Sequence, residues 1–126
     1  MNMSFTTKIR NLDEAVLYRE QLRMDGCKVI LTNGVFDLLH RGHIYSLYAA
    51  VETCFGREQE MNTKIKRGEM ALFVAINSDE SVKKLKGPTR PVQTSDDRAF
   101  TRAALEMVDA VFVFCTPRLD AEIRML

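Results

Sequence analysis

His40 and His43 stand three residues apart, with Gly42 between them. Side chains three apart on a helix share a face, so two imidazoles at this spacing can aim ring N–H donors at one group from the same side. The residues before them say where they sit. Val29-Ile30-Leu31-Thr32 is a short β-branched, apolar run that reads as a buried strand. Asn33-Gly34 breaks it as a turn. Val35 to Leu39 then carry the chain to His40-Arg41-Gly42-His43, where an amphipathic helix begins. A strand, a glycine turn and a helix N-terminus make a phosphate site, because the first N–H groups of a helix lack internal partners and the dipole is positive there. A lone histidine at a helix start is ordinarily a cap, and a lone glycine after a strand says little. Capping does not explain Gly34, Asp37, His40, Gly42 and His43 at a single junction.

These residues also carry a family resemblance. Thr32-Asn33-Gly34-Val35-Phe36-Asp37 followed by His40-Arg41-Gly42-His43 resembles the cytidylyltransferase-like nucleotidyltransferases, whose signature is His-x-Gly-His. The similarity continues in Asn77-Ser78-Asp79, Ser81-Val82-Lys83, Leu85-Lys86-Gly87 and Arg90-Pro91-Val92. That second block is most similar to the nucleotidyltransferase domains of ADP-heptose synthases, and less to the glycerol-3-phosphate cytidylyltransferases. The resemblance spans Lys28 to Phe114.

The resemblance implies transfer of a nucleoside monophosphate from ATP, more than from CTP, to a sugar-phosphate or polyol-phosphate acceptor, with release of pyrophosphate. The pathway implied is cytoplasmic lipopolysaccharide or nucleotide-sugar biosynthesis. An acceptor phosphate is already an anion near neutral pH, so no strong general base is needed. The barrier is charge repulsion and positioning, which electrostatic stabilisation and alignment lower. Imidazoles, lysines, arginines and backbone N–H groups suit that task. His40, His43 and Lys86 are the catalytic candidates by resemblance. Thr32, Asn33, Gly34, Phe36, Asp37, Gly42, Asn77 and Arg98 are the nucleotide-binding candidates, and Lys83 and Arg90 the candidates for acceptor or phosphate binding. Gly34 and Gly42 would let nucleotide atoms approach the backbone. Asp37 would orient a histidine or the metal-bound phosphates. Lys83 and Lys86 fall about one turn apart and so share a face. Mg²⁺ would be held mainly by phosphate oxygens, with no protein metal site. The resemblance further implies a later strand, a Gly-Gly-Asp-like turn and a Ser/Thr-rich phosphate-binding segment that do not appear before Leu126. The expectation is therefore a fold truncated at its C-terminus. A glycerol-3-phosphate-type cytidylyltransferase and a non-catalytic nucleotide-binding module stay open as alternatives. A homodimer is consistent with the family.

Composition agrees with this frame. A chain of 126 residues is one domain, and its hydrophobic fraction of 46% argues against disorder. Eighteen basic and 17 acidic residues give a net charge of +1, so no global field favours nucleic acid or an anionic membrane. The longest apolar run, Met70 to Ile76, is too short to span a bilayer. The N-terminus lacks an apolar signal-peptide region. Cys27, Cys54 and Cys115 lack metal-ligand spacing and read as reduced thiols.

The elements that must position the site follow from pattern. Asn11-Leu12-Asp13-Glu14 is a capping box opening a helix to about Met24, stopped by Gly26 and packed against the sheet edge. Ile44, Leu47, Tyr48, Val51, Cys54 and Phe55 form one stripe of the helix after His43. Residues 57–69 are polar and read as a solvated insertion. Met70 to Ile76 is a central parallel strand. Ser81 to Leu85 reads as a short helix. Thr94-Ser95 caps a helix with a stripe of Phe100, Ala103, Ala104 and Met107. Ala110 to Cys115 is a third strand, and Thr116-Pro117 opens a last helix carrying Leu119, Ile123 and Leu126. Alternating strands and helices imply a doubly wound, Rossmann-like α/β fold with its crevice at the carboxyl ends of the strands.

Overall fold

The computed structural model describes residues 3–55, 70–115, 119, 123, 124 and 126. After a 3₁₀ turn at Ser4–Lys8 come α1 (Leu12–Met24), β1 (Lys28–Gly34), α2 (Arg41–Phe55), β2 (Met70–Asn77), α3 (Asp79–Lys86), α4 (Ser95–Ala103) and β3 (Ala110–Phe114). The strands form one parallel sheet in the order β1-β2-β3. Lys28 pairs with Met70 and Gly34 with Ile76, while Phe73 pairs with Ala110 and Asn77 with Phe114. The Rossmann-like expectation is met.

β2 is central, and all eight of its residues are buried. That is why it reads as an unbroken apolar run: a strand covered on both faces has no polar side to show. Two cores flank the sheet. On one face Leu47 and Val51 of α2 and Ala99 and Ala103 of α4 pack with Leu72, Val74 and Ile76. On the other, Ala15 of α1 packs with Phe73, Ala75 and Phe112. Each fully buried Leu, Ile, Val or Phe contributes about 1.5–3 kcal/mol, so the sheet is the rigid base of the site.

The capping box forms as its sequence requires, with Asn11 Oδ1 accepting from Glu14 N–H and Glu14 Oε1 accepting from Asn11 N–H. α1 does not lie at the sheet edge, however. Tyr18 stacks on Phe73 of the central strand at 5.5 Å between ring centroids, so the helix crosses the face. The sheet edge beyond β3 is met instead by Ile9, which bridges to Val111.

Three other boundaries differ from the sequence expectation. Asn33 and Gly34 do not break β1; they stay in register with Ala75 and Ile76, because the parallel ladder supplies partners that a turn signal ignores. α3 starts at Asp79, since Ser78 is the N-cap and its Oγ accepts from Ser81 N–H. α4 buries Arg98, Ala99, Arg102 and Ala103, and Phe100 is 40% exposed. The stripe expected through Phe100 and Ala104 is therefore rotated, and Met107 is buried beyond the helix end. The proposed insertion at 57–69 and most of the last helix, with Thr116 and Pro117, lie outside the described residues; Leu119 is buried against the α1 face and Ile123 is exposed.

Candidate active site

A cavity of about 750 Å³ opens at the carboxyl end of β1, lined by Gly34, Val35, Phe36, Asp37, Leu38, His40, His43, Lys86 and Arg90. Its volume lies within the usual range for small-molecule sites, about 300–1,000 Å³. Three chain segments meet there: the β1–α2 turn, the end of α3 and the loop before α4.

The turn is shaped by a ring. Phe36 has φ of +49°, a left-handed backbone that bulky side chains rarely adopt. It is buried, and its ring fills the space beside Gly34, where a Cβ would lie 3.0 Å from Phe36 Cε2. The same ring meets His43 edge to face at 5.3 Å. Gly34 is thus packed tightly against a neighbour in its own chain, whose ring a Cβ would press on.

The histidines form a stacked pair, with ring centroids 3.9 Å apart and planes 26° from parallel. His40 precedes the first helical residue. Its Nδ1 accepts the Gly42 N–H at 2.9 Å, so the imidazole itself caps α2. His40 N–H in turn points to His43 Nδ1 at 3.3 Å. With both Nδ1 atoms accepting, each neutral ring carries its proton on Nε2. The pair presents two Nε2–H donors beside a helix N-terminus. Gly42 fits closely here: a Cβ would lie 2.7 Å from His40 Cε1. Burial, then the charges of His40 and Arg102, hold His43 below the ordinary histidine pKa, so it is neutral near pH 7.

Asp37 does not face a histidine. Its carboxylate accepts the N–H groups of Val92 at 2.7 Å and Gln93 at 2.8 Å, with Arg90 Nη1 at 3.5 Å. Burial raises its pKa, but the two backbone donors and Arg90 outweigh that and hold it below the usual carboxylate value. Asp37 therefore fastens the loop that carries Arg90, rather than orienting a histidine.

Arg98, expected to touch nucleotide, is fully buried beneath the turn. Nε donates to Gln93 O, Nη1 to Val35 O at 2.7 Å, and Nη2 to Asp79 Oδ1 at 2.8 Å. It ties the β1–α2 turn to α3 and to the α4 entry, and does not line the cavity. Asn77, also expected at the nucleotide, is buried and donates to Ser81 Oγ. Thr32, Asn33 and Gly42 lie near the junction without lining the cavity. Lys83 lines a separate cleft of about 150 Å³ with Asp79, Pro91, Val92 and Thr94, so it and Lys86 do not serve one cavity. His40, His43, Lys86, Gly34, Phe36, Asp37 and Arg90 all line the one cavity.

Sequence reasoning missed Val35 and Leu38, which line the mouth, and Arg102, which lies below it. Arg102 is fully buried, with its guanidinium carbon 5.6 Å over the Phe36 ring. The available signal was Arg98 and Arg102 at helical spacing, which a hydrophobic stripe count discards. Among the described residues, no group of three or more His, Cys, Asp or Glu side chains has the geometry to hold a metal ion, and no helix is long and apolar enough to cross a membrane.

The cytidylyltransferase-like family model matches residues 31–125. The chain is 42% identical over 107 residues to the bifunctional protein HldE of Methylobacillus flagellatus, covering 85% of this chain and 19% of that protein. It is 39% identical over 122 residues to the bifunctional protein HldE of Desulfatibacillum aliphaticivorans, covering 97% and 22%. With that of Campylobacter fetus it shares 45% identity over 112 residues, covering 87% and 20%. The chain thus spans about a fifth of the length of these curated relatives. The family match starts within β1, runs through the paired histidines and passes β3: this chain belongs to the cytidylyltransferase-like family.

Proposed function

We propose that this domain transfers a nucleoside monophosphate, AMP from ATP in preference to CMP from CTP, to a sugar-phosphate acceptor and releases pyrophosphate. The observation that carries this reading is the stacked His40–His43 pair, whose two Nε2–H donors share a cavity with Lys86 and Arg90. Such a site stabilises charge without supplying a nucleophile or a strong base, which is what attack by an already anionic acceptor requires. An acceptor phosphate oxygen bonds to the α-phosphorus, the bond to the β-phosphate bridging oxygen breaks, and pyrophosphate leaves with its electron pair. The imidazoles donate to α-phosphate oxygens as charge develops there. Lys86 and Arg90 offset the repulsion between the two anions.

Asp37 is the carboxylate among the lining residues, and its oxygens are engaged by Val92, Gln93 and Arg90. The site therefore fits Mg²⁺ as the nucleotide's counterion, held through phosphate oxygens, where it would reduce the charge that an incoming anion meets. The similarity of residues 77–92 to the ADP-heptose synthases supports ATP and a heptose phosphate as substrates.

Pyrophosphate release tests the proposal, with ATP or CTP paired with a heptose phosphate or glycerol 3-phosphate. Release is expected with ATP and the heptose phosphate. A preference for CTP and glycerol 3-phosphate would favour the cytidylyltransferase reading. Nucleotide binding without turnover on any pair would make this a binding module.

A further inference from the structure

Arg102 is a fully buried cation that packs over the Phe36 ring but leaves most of its donors unused. Its Nη1 donates to Thr101 Oγ1 at 2.6 Å. Its Nε and Nη2 are buried without hydrogen-bond partners among the described residues. Two unmade donor bonds on a desolvated charge are strongly unfavourable, and a methionine would fill a similar volume without that cost. The group does not escape by losing its proton: burial, then Arg98, lower its pKa to about 10, which leaves it charged at neutral pH. Asp37 attracts it from a distance, but that carboxylate is engaged by Val92, Gln93 and Arg90.

Its position suggests what the unused donors are for. The guanidinium packs over the Phe36 ring, and Phe36 lines the cavity and touches His43. Arg102, Phe36, His43 and His40 thus form a continuous chain of ring contacts from the core to the cavity. The Phe36 backbone at φ +49° is strained for a phenylalanine.

We propose that Arg102 is an anion-binding residue of the histidine cavity, covered by Phe36 until a polyphosphate enters, whereupon the ring shifts and the unpaired Nε–H and Nη2–H donate to phosphate oxygens. Parallel donation of this kind is the guanidinium's strongest mode of phosphate recognition. The inference rests on the reading of the cavity as a triphosphate site and adds to it a buried cation from α4. It also gives Phe36 a role, as a cover whose displacement couples ligand entry to an added positive charge.

Inorganic tripolyphosphate is the probe, because it lacks the base and needs no acceptor. Calorimetry and thermal melting of the full chain are compared with those of Arg102→Met. The variant should melt at or above the parent temperature in the absence of ligand, and should bind tripolyphosphate about 10–100-fold more weakly, the loss expected for one or two charged hydrogen bonds. A variant that melts lower and binds as the parent does makes Arg102 structural and overturns the proposal. If the parent binds tripolyphosphate and the variant binds equally, the cavity reading stands and this inference falls. If the parent does not bind, both fall. Should Arg102→Met not fold, the parent alone decides: the arginine Nε–H resonance that disappears in Arg102→Lys must shift on adding tripolyphosphate, and an unmoved resonance overturns the proposal.

Discussion

Asp37 accepts the backbone N–H of Val92 at 2.7 Å across 55 residues of chain. This bond and its companion from Gln93 pin the loop before α4 to the turn after β1. Arg90 and the histidines share a cavity because of it, although Arg90 belongs to one segment and the histidines to the other. A carboxylate that looked like a ligand to substrate is the clasp that assembles the substrate's surroundings.

Asp37→Asn should therefore lower the melting temperature and weaken nucleotide binding together, since an amide keeps one acceptor oxygen and loses the charge facing Arg90. The pH dependence has a definite sign. Asp37 titrates below its ordinary value of 3.8 when folded, so its contribution is complete above that value and is lost as pH falls through the folded pKa. The parent's stability advantage over Asp37→Asn should be largest above pH 4, by roughly the width of one titration, and shrink below. Melting curves from acid to neutral pH measure this; a constant difference would mean the carboxylate charge is not what holds the loop.

Arg98→Met should destabilise the fold by about 2–4 kcal/mol, because it leaves Val35 O and Gln93 O without their charged donor. Arg98→Lys should recover little, since one ammonium cannot span three partners in the fork geometry. Denaturant midpoints check both. If Arg98→Met melts like the parent but loses nucleotide affinity, Arg98 is a ligand after all and the buried bonds are incidental.

The local signals that predicted elements here are those whose physics is local. Asn11 and Glu14 close their box within one turn, Thr94 caps α4, and the apolar run of β2 reports burial on both faces. What the pattern did not show depends on distant partners. Arg98 and Arg102 count as solvent-facing in any hydropathy stripe, yet they occupy the buried face of α4 because Val35 O and Asp79 reward the first and the second packs over Phe36. The split between Lys83 and Lys86 depends on where the loop at residues 91–94 passes, which one helix face does not encode. The left-handed Phe36 carries no sequence mark at all, since nothing about phenylalanine invites that backbone.

His43→Ala should lower turnover by about 10²–10³ while changing nucleotide affinity much less, as expected for one preorganised donor acting on developing charge. His43→Asn, which keeps an N–H donor, should recover part of the rate. The stability effect has the same sign as that of Asp37 and lies at higher pH, because both groups titrate lower in the folded protein than in the unfolded chain. The folded protein disfavours protonated His43, so stability is lost as pH falls below the ordinary histidine value of 6.5 toward the folded pKa. Both variants should flatten the melting profile in that window. Turnover within a few-fold of the parent would leave His43 as a cap partner only.

Gly42→Ala separates two accounts of the glycine. In one, Gly42 is small so that nucleotide atoms can approach; in the other, it is small because His40 needs the space. The geometry favours the second, with the added Cβ 2.7 Å from His40 Cε1 and 3.0 Å from its Nδ1. The methyl must push the ring away, which breaks the Gly42 N–H to Nδ1 bond and frees the tautomer that aims Nε2–H at the cavity. Alanine is otherwise the better helix former by about 0.8–1 kcal/mol. In the parent background, Gly42→Ala should therefore destabilise the fold and lower turnover. In a His40→Ala background the clash is gone, and the same substitution should stabilise α2. The double-mutant cycle should show a coupling of about 1–3 kcal/mol, in the range of residues in direct contact. Additive effects, with turnover lost only through weaker nucleotide binding, would return Gly42 to the first account and remove the imidazole cap from the mechanism.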